Sequence, residues 1–84
     1  MKSYLFKIVI EPDRFDDGRP AFHASCPALK GCHTWGHTEA EALANAREAI
    51  ELYVADLREA GEPIPVDPER GITEIDTPAV VVSA

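Results

Sequence analysis

Few side chains in this sequence are capable of nucleophilic, acid–base or metal chemistry. The candidates are two cysteines and three histidines: Cys26, Cys32, His23, His33 and His37. A catalytic thiol needs a base within reach. Neighbouring strand residues point to opposite faces, which separates Cys32 from His33, and the spacing of three separates Cys26 from His23. The pattern favours small buried thiols. A cysteine-dependent hydrolase or residual nuclease remains an alternative only if residues distant in the chain bring a base to one of the thiols.

A metal site would have to recruit Cys26, Cys32, His33 and His37. Structural zinc sites usually present their ligands in pairs that are separated by two to four residues. Here five residues separate the two cysteines, and no second pair follows. We therefore predict no metal ligands, no cofactor and no catalytic residues.

Charge and one large aromatic residue suggest a binding surface instead. The chain has 15 acidic and 8 basic residues, a formal net charge of −7. Such a domain repels the phosphate backbone of nucleic acids. The acidity either attracts a basic protein partner or serves only to keep the protein soluble. We predict partner contacts at Asp13, Asp16, Asp17 and Trp35. Turn chemistry alone also explains aspartates in a loop, and a core position is the alternative for Trp35.

Length and composition indicate one globular domain over residues 1–84. Hydrophobic residues make up 45% of the chain and charged residues 27%, as in ordinary globular proteins. No apolar run approaches the ~20 residues that span a bilayer, and the first residues lack the features of a signal peptide. These observations predict a cytoplasmic protein with reduced thiols.

Alternating apolar residues predict three strands in the first half of the chain. They cover Ser3 to Glu11, Ala21 to Cys26 and Cys32 to Trp35. The first two are joined by a loop over residues 12–20 that is rich in Asp, Gly and Pro.

A long helix is predicted over residues 39–60. Thr38 and Glu41 have the spacing of a capping box, and Gly61 is a suitable residue to end the helix. The predicted core stripe recurs every three or four residues, at Leu43, Ala46, Ile50, Tyr53 and Leu57. Ala42 and Ala49 widen the stripe with small side chains, which allows the helix to lie close against a sheet.

The remainder predicts a loop over residues 66–77, with a short turn or strand near Ile72 to Ile75, and a final apolar strand over Ala79 to Ser83. The resulting order is β-β-β-α-β: an antiparallel sheet with one long helix on one face, in the α+β class.

Two segments together resemble the HicB-like antitoxin family. Residues 26–38, CPALKGCHTWGHT, fit its pattern Pro-x-Leu-x-Gly-Cys-x-Thr-x-Gly-x-Thr, and residues 41–50, EALANAREAI, fit its helix. The residues that carry the match are expected to shape the turn, the helix start and the helix packing: Pro27, Leu29, Gly31, Cys32, Gly36, Thr38, Asn45 and Ala46.

The resemblance implies a partial, catalytically dead ribonuclease-H-like fold that forms homo-oligomers, dimers or tetramers. It implies neutralisation of a small basic toxin, HicA, that degrades messenger RNA. Many members carry an additional C-terminal DNA-binding domain. We expect none in residues 1–84, so direct nucleic-acid binding is not expected. The alternative function is a small regulatory or structural homo-oligomer without a toxin partner.

Overall fold

A computed structural model describes residues 1–83. The element order is β-β-β-β-α-β, which confirms the α+β class. The bounds are β1 Lys2–Phe6, β2 Val9–Arg14, β3 Pro20–Ser25, β4 His33–Gly36, α1 Glu39–Glu59 and β5 Ile72–Asp76. β1 pairs antiparallel with β5, and β2, β3 and β4 form a second antiparallel sheet in that order.

The predicted first strand is two strands that belong to different sheets. Its alternation of apolar residues continues through the break, which explains why the sequence suggested a single element. The break lies at Lys7 and Ile8, where the Lys7 N–H donates to the carbonyl of Gly71, 2.7 Å away. Before the break the chain pairs with β5, and after it the chain pairs with β3.

β2 also runs further than predicted, because the expected loop begins only after Arg14. Pro12 therefore lies inside a strand, opposite Phe22. It is tolerated there because β2 is an edge strand of its sheet, where a missing N–H leaves no partner unsatisfied.

The final strand predicted over residues 79–83 is wrong, whereas the short strand suggested near Ile72 to Ile75 is confirmed as β5. Ala79–Ser83 has the stronger β-forming composition, yet it has no regular secondary structure. The pairing strand is β5, which a tight turn delivers to β1: the Asp67 carbonyl accepts from the N–H groups of Arg70, Gly71 and Ile72. Ile72 is then almost completely buried beside Phe6, and this burial favours β5.

The long helix is present and has well-defined ends. The Thr38 side chain accepts from the Glu41 N–H at 3.0 Å, and the Glu41 carboxylate accepts from the His37 N–H at 3.3 Å. At the other end Gly61 has φ +70°, and the N–H groups of Gly61 and Glu62 donate to the carbonyls of Arg58 and Leu57. That is the Schellman motif, in which glycine tolerates the left-handed conformation.

The buried face of α1 contains most of the predicted stripe, with Leu43 as the exception. Ala42, Ala46 and Ile50 are buried, whereas Leu43 is half exposed. The physical reason lies in β4: a Cβ added to Gly36 would come within 2.4 Å of the Ala42 backbone nitrogen. Such a close approach of helix and strand admits only small side chains at the contact, so alanines rather than leucine face the sheet.

The core has two parts. One is built mainly of alanines between α1 and the three-stranded sheet; the other lies beneath the turn that joins β3 and β4. Within residues 1–83 the buried apolar residues are Ala21, Ala24, Cys26, Leu29, Ala42, Ala46, Ile50 and Ile72. Most of these side chains are small, so the core is modest for the chain's length.

Candidate partner-binding site

The three-stranded sheet has one face covered by α1 and one face open. Ile10, Phe22 and Ala24 pack toward the helix. Strand residues alternate between faces, so the open face presents an aromatic and polar group, here called the open-face cluster. It consists of Asp13, His23, His33 and Trp35.

Strand pairing brings these four residues together from three strands. His23 lies directly opposite Trp35, and His33 is its diagonal neighbour. Ring centroids are 5.0 Å apart for His23 and Trp35, 5.2 Å for His33 and Trp35, and 5.4 Å for the two histidines. Nε2 of His23 and Nδ1 of His33 are 3.4 Å apart. The three rings form one aromatic cluster in tilted and edge-to-face arrangements.

Asp13 fixes the orientation of the indole. The Trp35 Nε1–H donates to its carboxylate at 2.8 Å, and the Arg14 backbone N–H donates to the other oxygen, also at 2.8 Å. The indole hydrogen bond, then the Arg14 N–H and the nearby His23, hold the pKa of Asp13 below its ordinary value. Asp13 therefore stays ionised, and Trp35 stays in one orientation on the surface.

The helix supports the same residue from the other side of the sheet. The Asn45 Nδ2–H donates to the carbonyl of Trp35 at 2.8 Å. Trp35 remains 41% exposed, so the alternative that it belongs to the core is wrong. A rigid, half-exposed tryptophan is suited to act as an interface anchor, because little side-chain freedom remains to be lost on binding.

The predicted acidic residues do not all join this cluster. Asp13 lies in β2 rather than in the predicted loop. Asp16 and Asp17 lie in the turn between β2 and β3, both exposed. The carboxylate of Asp17 binds Arg19, accepting from Nε at 2.7 Å and from the backbone N–H at 3.0 Å. Arg19 therefore offsets the negative charge of that turn.

The motif residues between β3 and β4 shape the turn that joins these strands. Leu29 is buried beneath the turn and Gly31 has φ +77°. The Cys26 N–H donates to the Cys32 carbonyl at 3.0 Å, which closes the turn. A shallow cavity of about 530 Å³ lies between this turn, which includes Pro27, and the open-face cluster.

Of the residues considered for thiol or metal chemistry, His23, His33 and the two cysteines line the same shallow cavity, and His37 does not. Cys26 and Cys32 are free thiols, and burial raises the pKa of Cys32, which disfavours a reactive thiolate. His37 packs in a tilted arrangement against Phe15, with ring centroids 4.7 Å apart. Within residues 1–83, no three His, Cys, Asp or Glu side chains lie close enough together to hold a metal ion.

The grouping of His23 and His33 with Trp35 was not predicted from the sequence. Alternation in the second predicted strand did place His23 on the face opposite to that of Phe22 and Ala24. The missing information was the register between β3 and β4, which single-strand patterns do not contain.

The chain matches a known protein family over most of its length. The family described as "HicB_like antitoxin of bacterial toxin-antitoxin system" matches residues 6–78. No protein of known structure is significantly similar. No helix in residues 1–83 combines the length and apolarity required to cross a membrane.

Curated relatives come from distant organisms. A UPF0150 protein of Synechocystis sp. is 44% identical over 62 residues, covering 74% of this chain and 73% of the relative. One of Thermoplasma acidophilum is 40% identical over 68 residues, covering 81% and 93%. One of Helicobacter pylori is 50% identical over 53 residues, covering 63% and 67%. Together with the family match, these similarities show that the chain belongs to the HicB-like antitoxins of bacterial toxin–antitoxin systems.

Proposed function

We propose that this protein binds and neutralises a small basic toxin of the HicA type, which degrades messenger RNA, and that it does so without catalysing a reaction. The observation that carries the proposal is the family match over residues 6–78. The net charge of −7 supports it, because opposite charge speeds encounter and favours a basic partner. A toxin that acts on messenger RNA places the pair in the cytoplasm.

The open-face cluster is the contact surface that we propose for the toxin. Trp35 is large, rigid and partly exposed, and Asp13 beside it keeps its negative charge. An aromatic anchor next to a fixed carboxylate is complementary to a surface that carries lysine or arginine, because a cation can stack on the ring and pair with the carboxylate. Asp16 and Asp17 would contribute at the rim, and more weakly, because Arg19 pairs with Asp17.

Neutralisation then follows from occlusion. A toxin that cleaves RNA must expose a basic surface to the phosphate backbone. An acidic protein that covers this surface competes with RNA for the same charges. It needs no chemistry of its own.

The function is tested with the product of the neighbouring gene. We expect the two proteins to co-purify, and we expect this chain to stop the RNA cleavage and the growth arrest that the isolated product causes. If it neither binds that product nor relieves its toxicity, the antitoxin role is wrong, and a homo-oligomer without a toxin becomes the better description.

The contact surface is tested separately by substitution. Trp35→Ala should weaken binding roughly 30-fold, the effect of losing about 2 kcal/mol at an interface anchor. Asp13→Asn should weaken binding and flatten its dependence on salt, whereas the matched Asp17→Asn should have a smaller effect. Leu52→Ala, at an exposed helical position away from the cluster, is the control. Unchanged affinity for Trp35→Ala would move the contact surface elsewhere and leave the antitoxin function intact.

A further inference from the structure

An open apolar groove lies between β1 and α1. Its volume is about 670 Å³. Tyr4, Phe6 and Ile8 form one wall, and the other wall is formed by α1. The lining residues on the helix are Leu43, Arg47, Ile50, Glu51, Val54, Ala55 and Arg58. Leu43 is half exposed because nothing in residues 1–83 fills the groove beside it.

A second apolar feature of the same chain is also uncovered. The segment from Ala79 to Val82, here called the valine segment, has no regular secondary structure. Val80, Val81 and Val82 are 87%, 72% and 81% exposed. β-branched residues are suited to an extended, half-buried conformation, and three consecutive exposed valines are costly in water. The segment lies beyond the family match, which ends at residue 78.

The surface area of the chain measures how incomplete its burial is. The accessible surface is 6319 Å² for a mass of 9.2 kDa, whereas a compact monomer of that mass exposes about 4,900 Å². The radius of gyration is 14.2 Å, against about 12 Å for a compact chain of this length. A stable dimer needs about 800 Å² from each partner. The surplus, roughly 1,400 Å², is more than enough for such a contact.

The course of the chain directs the valine segment away from its own groove. β5 runs antiparallel to β1, with Ile72 beside Phe6 and Asp76 beside Lys2. The Thr77 N–H and hydroxyl both donate to the Met1 carbonyl at 2.8 Å. The chain therefore leaves the sheet at the Met1 end of β1, whereas the groove lies along its other half. A second copy can supply the segment without a reversal of the chain.

Charge argues against the toxin as the occupant. The polar rim of the groove has two arginines, Arg47 and Arg58, and one glutamate, Glu51, which is already paired with Arg47 at 3.0 Å. Such a rim has more positive than negative side chains, so it is less suited to a basic protein than the open-face cluster is, and it accepts an uncharged valine segment.

We propose that the groove of one copy binds the valine segment of a second copy, so that reciprocal exchange forms the homo-oligomer. The groove and the valine segment then cover each other, and each copy supplies one of each. The groove and the open-face cluster share no residue, so this contact is independent of the proposed function.

Light scattering during size-exclusion chromatography, over a range of concentrations, tests the exchange. The unmodified protein should have at least twice the monomer mass. Val81→Lys should raise the dissociation constant roughly tenfold or more, because it places a cation in an apolar groove beside arginines. Leu43→Lys should act likewise. Leu52→Lys is the matched control, because Leu52 is a 64% exposed leucine of the same helix outside the groove, and it should leave the mass unchanged. Circular dichroism establishes that each variant is folded.

Cross-linking tests the geometry directly. A mixture of Val81→Cys and Leu43→Cys proteins should form a disulfide between chains under mild oxidation. A mixture of Val81→Cys and Leu52→Cys proteins should not, and neither should the unmodified protein, whose two thiols are largely covered.

Three results would overturn the inference. The first is a monomer at all concentrations. The second is an oligomer that folded Val81→Lys leaves intact. The third is a substitution in the groove that weakens toxin binding without changing the mass of the protein in solution. That result would assign the groove to the toxin. None of these results would contradict toxin binding at the open-face cluster.

Discussion

The contact between β4 and α1 predicts that Gly36→Ala is strongly destabilising. Gly36 does not have a positive φ, so alanine is compatible with its backbone conformation and the cost is steric. The added Cβ would lie 2.4 Å from the Ala42 nitrogen, 2.8 Å from its Cα and 2.9 Å from the Glu41 carbonyl carbon. All three are backbone atoms, so no side chain can rotate away, and α1 itself must shift.

The expected cost is about 3 kcal/mol, at the upper end of typical overpacking. A chain of this length has a free energy of unfolding of about 4–13 kcal/mol, so a quarter or more of the stability would be lost. Denaturant unfolding at one fixed protein concentration measures the cost, since the proposed oligomerisation would make the apparent stability depend on concentration.

Gly18→Ala is the matched control for this experiment. Gly18 has φ +85° and open space where a Cβ would be, so alanine there carries only the conformational penalty, about 1–2 kcal/mol. If Gly36→Ala costs no more than Gly18→Ala, the reasoning from close approach is refuted. The alanine-lined contact between helix and sheet would then need another explanation.

Three further predictions concern the helix cap, the aspartate and the thiol. Thr38→Ala should lower stability by about 1 kcal/mol and Thr38→Ser by much less, because serine keeps the capping oxygen; thermal unfolding measures both. In Trp35→Phe, the pKa of Asp13 should rise toward its ordinary value, as followed by NMR titration. A carboxyl group whose pKa is lowered on folding stabilises the protein at pH values above its ordinary pKa, and this contribution is lost as pH falls through its pKa in the folded state. The difference in stability between the unmodified protein and Trp35→Phe should therefore shrink in acid. Cys32 should react with iodoacetamide more slowly in the folded protein than in the unfolded chain at neutral pH, since burial raises its pKa; faster reaction in the folded protein would reopen the cysteine hypothesis.

Local signals in the sequence were sufficient for α1 and for the approximate positions of β3 and β4. The capping box at Thr38 and the glycine at position 61 act through hydrogen bonds within a few residues, so one sequence contains the whole interaction. The break between β1 and β2 was not predictable in this way. It depends on β5, which is distant in the chain and pairs with only one half of the continuous alternation.

The candidate site shows the same division. The residue types at Asp13 and Trp35 suggested a binding role, but their hydrogen bond joins residues 22 positions apart and depends on the register of two strand pairs. The exposure of Leu43 was not predicted for a related reason: helical periodicity identifies a face only to within about one residue, and Gly36 on another element decided that Ala42 rather than Leu43 lies inside.

The exposure of Leu43 links stability to assembly. Because β4 approaches α1 so closely, the sheet accepts alanines, and the large side chain of Leu43 is turned to the groove instead. The same packing that keeps the core small leaves apolar surface for a second copy. The open face has the opposite character, since Asp13 and Asn45 hold Trp35 at the surface of a domain whose net charge is negative. One helix–strand contact therefore separates two surfaces of different chemistry: an apolar groove suited to another copy, and an acidic aromatic face suited to a basic protein.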